Sequence, residues 1–163
     1  NTAMQGYVTS EPFAIETQGK FKPEIFLLAD HGFDTYSTLI ETRRELVEKN
    51  PGLVQRFVDA SAIGWYNYLY GDSRPGNELI KKQNPEMSDA LIAYSIVKMK
   101  EFGIVDSGDT LKDGIGAMND ARMASFFDKM VRAGVVRRDI DYRQAYTLRF
   151  TNKGVGLDRR PKH

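Results

Sequence analysis

Beyond residue 50 the apolar residues recur every three or four positions, whereas before it they gather in short runs. Val54, Phe57, Val58, Ser61, Trp65 and Leu69 share one face of a helix, so this stretch predicts an amphipathic helix. Asn50 supplies a side-chain cap for it, and Pro51 suits the first helical position because its missing N–H would be unpaired anyway. Gly71-Asp72 ends it. Residues 77–82 predict a short helix closed at Asn84-Pro85. Ser88 caps a third helix with Leu91, Ile92, Ile96, Met99 and Phe102 inward and Gly103 just past its end. Residues 106–116 (DSGDTLKDGIG) predict a loop. Asn119 caps the next helix, whose stripe is Met123, Phe126, Phe127, Met130 and Val131 and whose stop is Gly134. Residues 141–150 predict one more short helix, and the basic tail 158–163 is expected to be mobile.

The first forty residues predict strand and loop. Tyr7, Val8 and Thr9 favour a strand, which Pro12 interrupts. Residues 24–29 (EIFLLA) form an apolar run of the kind buried in a parallel sheet, and Asp30-His31-Gly32 a turn. Residues 36–42 predict the next strand, followed by a charged turn. Two or three strands followed by about four helices do not make a balanced α/β layer. The expectation is therefore an incomplete sheet, with exposed apolar surface, unpaired strand edges or a second copy supplying the cover.

Composition changes this picture little. Of 163 residues, 41% are hydrophobic and 28% charged, near the globular average. The net charge of +1, from 23 basic and 22 acidic residues, points to no nucleic-acid partner. Cysteine is absent, which removes disulfides, zinc–thiolate sites and a thiol nucleophile. No apolar run reaches the length of a membrane span.

Little in the chain suggests covalent chemistry. Only His31 and His163 are histidines. His31 beside Asp30 in a turn lacks the base–orienter geometry of a triad. Asp106, Asp109 and Asp113 miss the calcium-loop spacing, so they are expected in a solvated loop. Gly114-Ile115-Gly116 lacks the preceding strand and third glycine of a dinucleotide turn. Trp65, Tyr66, Tyr68 and Tyr70 crowd one helix, mainly as packing groups with hydroxyls reaching solvent; ligand stacking is the alternative. Ser10 and Glu11 stand where a strand is expected to end, the edge at which open α/β sheets bind ligands. Glu11 is then either a solvated or salt-bridged acid or an acceptor for an amine, amidine or aminopyrimidine.

Residues 33–61, FDTYSTLIETRRELVEKNPGLVQRFVDAS, resemble one family in their wording. The likeness is to the substrate-binding proteins of ABC importers in the nitrate, sulfonate and thiamine-precursor group. There a strand crosses between lobes and an "EKNP-LV--F--A" helix follows. Residues 6–13, GYVTSEPF, resemble the last strand of the second lobe. The resemblance runs from Gly6 to about Gly156 and implies a C-terminal half, since family members are about twice as long.

The implied fold is α/β: the C-terminal portion of a two-lobed type 2 periplasmic binding protein, helix-rich, with its sheet incomplete. Residues 1–33 would end the second lobe, and residues 34–163 would supply the crossover strand and helical part of the first. Ser10, Glu11, Tyr36 and Ser37 would then face the interlobe cleft and touch solute, Tyr36 through its ring and hydroxyl. The implied function is capture of a small polar or heteroaromatic solute and its delivery to an inner-membrane ABC permease, in the periplasm or on an extracytoplasmic lipid anchor. No catalysis, cofactor, metal or nucleic acid is expected, and a homo-oligomer could cover the open sheet. The alternatives are a thiamine-pyrimidine biosynthesis enzyme of the same fold, although this chain lacks cysteine, and the ligand-sensing domain of a transcription regulator.

Overall fold

The computed structural model describes residues 2–161, and these are built from helices and irregular chain. A four-residue helix α1, Glu11–Ala14, runs into a π-helical turn, Ile15–Gly19, and a 3-10 turn follows at Leu28–His31. Then come α2 (Arg44–Lys49), α3 (Pro51–Tyr70), α4 (Arg74–Gln83) and α5 (Asp89–Glu101). A four-residue α6 (Thr110–Asp113) and the longer α7 (Asp120–Arg132) precede 3-10 turns at Tyr142–Ala145 and Leu157–Arg159.

The three capped helix starts form for the local reason that their sequences predict. Asn50 Oδ1 accepts the Leu53 N–H at 3.3 Å, Ser88 Oγ that of Leu91 at 3.2 Å, and Asn119 Oδ1 that of Arg122 at 2.7 Å. Each satisfies an amide that the helix leaves unpaired at its first turn. Gly103 and Gly134, both in the left-handed region, end α5 and α7. The charged turn after residue 42 is instead helical as α2, and part of the loop 106–116 closes into α6.

The expected α/β architecture is overturned: among the described residues there is no β-strand, and hence no sheet to be incomplete. A parallel strand gains its hydrogen bonds only from a neighbour, and none of the three apolar runs has one. Tyr7, Val8 and Thr9 curl into a turn whose Tyr7 carbonyl accepts the N–H groups of Ser10 (3.0 Å) and Glu11 (3.2 Å). Residues 24–29 end in the 3-10 turn, where Asp30 N–H donates to Leu27 O at 3.1 Å. Residues 36–42 stay irregular, with Tyr36 held by a side-chain contact to α7. Helix-rich is the part of the expectation that survives.

The core is small and sits where α3 meets the loop after α6. Tyr66, Leu69 and Ile115 form it, with Tyr68, Tyr70, Met99 and Val105 packed around them. The buried stripe of α3 is Val54, Ala62, Tyr66 and Leu69, rotated from the predicted face; Phe57 is 61% exposed and Trp65 40%. Tyr66 is wholly buried, against the expectation of hydroxyls reaching solvent, and its oxygen accepts the Ile115 N–H at 3.2 Å. Gly156, at φ 79°, lies so close that an added Cβ would sit 2.6 Å from the Tyr66 ring.

The basic tail is not free as far as Arg160. That residue clasps Asp106, whose side chain is only 3% exposed. Asp106 is therefore a buried anchor rather than a solvated loop acid. The terminal His163 lies outside the described residues.

The accessible surface is 11,868 Å². A compact monomer of 18.5 kDa exposes roughly 8,200 Å². Exposed apolar surface was expected and is present: Met4, Tyr7, Phe21, Phe26, Leu28 and Phe57 are among the large apolar side chains open to solvent. No helix of the described residues is long and apolar enough to cross a membrane.

Candidate ligand-binding site

The N-terminal turn is closed by its own acid. Glu11 Oε2 accepts the Ser10 hydroxyl and the Tyr7 N–H, both at 2.6 Å. The Ser10 bond holds the Glu11 carboxyl below its ordinary pKa against slight burial, with help from the Tyr7 and Glu11 amides. Gly6 makes this closure possible, since a Cβ there would meet Glu11 Cγ at 2.6 Å. Ser10 and Glu11 thus act together, as an ionised turn rather than at a strand end.

This turn docks on α5. Ser95 Oγ donates to the Thr9 carbonyl at 2.7 Å, and the Phe13 and Tyr94 rings lie 5.3 Å apart. Beside that contact the chain leaves an open groove of about 620 Å³ between residues 16–25 and α5. Glu16, Lys20, Phe21, Lys22 and Ile25 line one side and Tyr94 and Lys98 the other. Tyr94 and Lys98 are four apart on α5 and so share a face. Lys98 Nζ lies 5.6 Å from the Tyr94 ring centre and 5.5 Å from that of Phe102, and pairs with Glu101 at 2.7 Å. The Glu101 bond raises the Lys98 pKa against desolvation. Burial raises the Tyr94 pKa, which Lys98 partly offsets, so its phenol stays a protonated donor. Three ammonium groups, one carboxylate and two ring faces suit a small anionic or aromatic solute.

Tyr36 and Ser37 are placed differently. The Tyr36 hydroxyl accepts the Asn119 N–H at 2.9 Å, at the start of α7. The Arg122 guanidinium covers its ring at 4.3 Å, while Arg122 Nε donates to Asp34 O at 2.5 Å. Tyr36 therefore makes contacts within the chain through its hydroxyl oxygen and one ring face, while its O–H keeps the capacity to donate. Ser37 is exposed. Among the described residues no hydrogen bond, ion pair or ring contact joins Ser10 or Glu11 to Tyr36 or Ser37. The groove residues Lys20, Phe21, Lys22, Tyr94 and Lys98 escaped the sequence reading; the signal for the first three was the alternation K-F-K before Pro23.

A smaller recess of about 350 Å³ lies between Asp120, Arg143, Tyr146, Thr147 and Leu148. There Tyr146 donates to Asp120 at 2.5 Å, a bond that with slight burial pushes its pKa up to about 12. No cluster of His, Cys, Asp and Glu among the described residues could hold a metal ion.

Compared with known proteins, residues 1–72 match the family described as NMT1/THI5 like. This is the nitrate, sulfonate and thiamine-precursor binding group that the wording of the chain resembles, and the match is confined to the N-terminal stretch. It supports a small-molecule-binding protein in the broad sense. It takes in Ser10, Glu11, Tyr36, Ser37 and the wall of the groove from Glu16 to Ile25, whereas Tyr94 and Lys98 lie beyond it. No curated protein and no solved structure matches the chain.

Proposed function

We propose that this chain is the solute-capturing component of an ABC importer, working on the outer side of the inner membrane and handing a small polar or heteroaromatic solute to a permease. The observation that carries the reading is the family match over residues 1–72, which includes one wall of the open groove. Lys20, Lys22 and Lys98 meet the solute's negative edge, and Phe21 and Tyr94 meet its flat face. Capture needs no nucleophile, so the chain turns nothing over. Ser10 and Glu11 hold the turn that brings this wall to α5, and the free edge of Glu11 offers an acceptor to an amino group.

Calorimetric titration with nitrate, an alkyl sulfonate and an aminopyrimidine tests this. One of the three should bind saturably, and Lys98→Ala or Tyr94→Ala should weaken it about tenfold or more, the worth of one charge-assisted bond or stacked ring. Absence of saturable binding to all three, or affinity untouched by both substitutions, would reject the groove. Steady consumption of the aminopyrimidine would move the reading to a biosynthetic enzyme.

A further inference from the structure

Away from the groove, the described residues include a fully assembled polar recess around Asp106 that is filled by the chain itself. Asp106 lies at its floor with its side chain 3% exposed. Its Oδ1 accepts the Thr110 hydroxyl at 2.7 Å and its Oδ2 the Tyr70 hydroxyl at 2.8 Å. These bonds aim the carboxylate without help from the tail. The rim adds the carbonyls of Thr110 and Leu111 and the hydroxyl and ring of Tyr66.

Into this recess the tail inserts one guanidinium. Arg160 Nε donates to Asp106 Oδ2 at 2.8 Å and one terminal nitrogen to Oδ1 at 2.5 Å, the two-pronged geometry of arginine on carboxylate. The same nitrogen reaches Thr110 O at 2.9 Å and Tyr66 Oη at 3.3 Å, and the other reaches Leu111 O at 2.9 Å. The guanidinium carbon lies 5.8 Å from the Tyr66 ring centre. Every acceptor in the recess faces a planar, five-donor cation, and all but the Arg160 side come from residues 66–111. An ammonium could meet only some of them.

We propose that the Asp106 recess is a recognition site for a guanidinium-bearing small molecule, and that Arg160 is its internal competitor. The tail segment carrying Arg160 makes few other polar contacts: Gly154 N–H donates to Asp113 O at 2.9 Å, and Arg159 reaches Asn67 at 3.0 Å on the exposed surface. Its lifting has chiefly to part the Gly156 backbone from the Tyr66 ring, downstream of the Asn152–Met118 bonds that stay in place. When this segment lifts, a recess already shaped by Tyr70 and Thr110 is open to a solute of the same chemistry. The proposal does not depend on the transport reading.

The test uses the full chain with Arg160→Ala and methylguanidinium chloride as probe, with methylammonium chloride as the control cation. Methylguanidinium should raise the thermal midpoint of the variant saturably and bind it at least about tenfold more tightly than the unsubstituted chain, where Arg160 competes at millimolar effective concentration. Methylammonium should do much less, and Asp106→Asn added to Arg160→Ala should abolish the response. An unresponsive variant, equal responses to the two cations, or equal responses with and without Asp106 would each overturn the proposal. If Arg160→Ala does not fold, Arg160→Lys takes its place, because one ammonium leaves acceptors unmet; no preference for methylguanidinium there would overturn it equally.

Discussion

Replacing Asp106 with asparagine should cost about 3 kcal/mol of stability, the low end of what breaking a buried ion pair costs. The amide keeps the shape but loses the charge, leaving Arg160, 16% exposed, beside a neutral group that offers one acceptor where there were two. The Tyr70 and Thr110 hydroxyls lose their anionic partner as well. Removing both ends together, as Asp106→Asn with Arg160→Ala, should cost less than the sum of the two single changes, because no charge is then left alone. Acid should act like the substitution. Burial opposes the charge on Asp106, but the bonds from Arg160, Thr110 and Tyr70 outweigh it and hold the pKa below the ordinary aspartate value. A carboxyl depressed in the folded state stabilises above its unfolded pKa and loses that contribution as pH falls through the folded one. The difference between the original and Asp106→Asn should therefore be full at pH 7 and shrink below about pH 4. Urea melts at pH 7 and pH 3 decide it; an unchanged midpoint at pH 7 would count against the clasp.

Tyr66→Ala should be more damaging still. The ring is fully buried in the centre of a small core, and truncating a large aromatic there costs about 3–5 kcal/mol. That is a large part of the 5–15 kcal/mol that holds a typical domain together. Tyr66→Phe separates the hydroxyl from the ring. It leaves the buried Ile115 N–H without its acceptor and removes one contact of Arg160, for about 1–3 kcal/mol. Thermal denaturation followed by circular dichroism should rank the original above Phe and Phe above Ala. Equal midpoints for Phe and Ala would mean that the ring contributes no packing.

What could be read from the chain was local, and what was lost was distant. Asn50, Ser88 and Asn119 announce helices because a cap bonds an amide three residues away. The strands fail for the opposite reason: Tyr7, residues 24–29 and Tyr36 have strand-like residue types, but a strand exists only where a neighbour pairs with it. The rotation of α3 follows from partners on other segments, since Tyr66 is drawn inward by Ile115, 49 positions on, and Trp65 turns outward. The Asp106 clasp joins residues 54 apart and left no trace in local pattern, so a basic tail looked merely basic. Beside the candidate site, Ser10 and Glu11 were expected at a strand end, and the bond between these neighbours that closes the turn was not read from the chain. The groove needed α5 folded back onto residues 16–25, which no spacing within either segment reveals.

The wide solvent-exposed surface has a calorimetric consequence. Unfolding exposes only what folding had hidden, and for this mass that increment is roughly a fifth smaller than for a compact monomer. Heat-capacity change and urea sensitivity both scale with that increment, so both fall in proportion. The stability curve is flatter to that extent, and the slope of stability against urea is about a fifth shallower than for a tightly packed chain of this length.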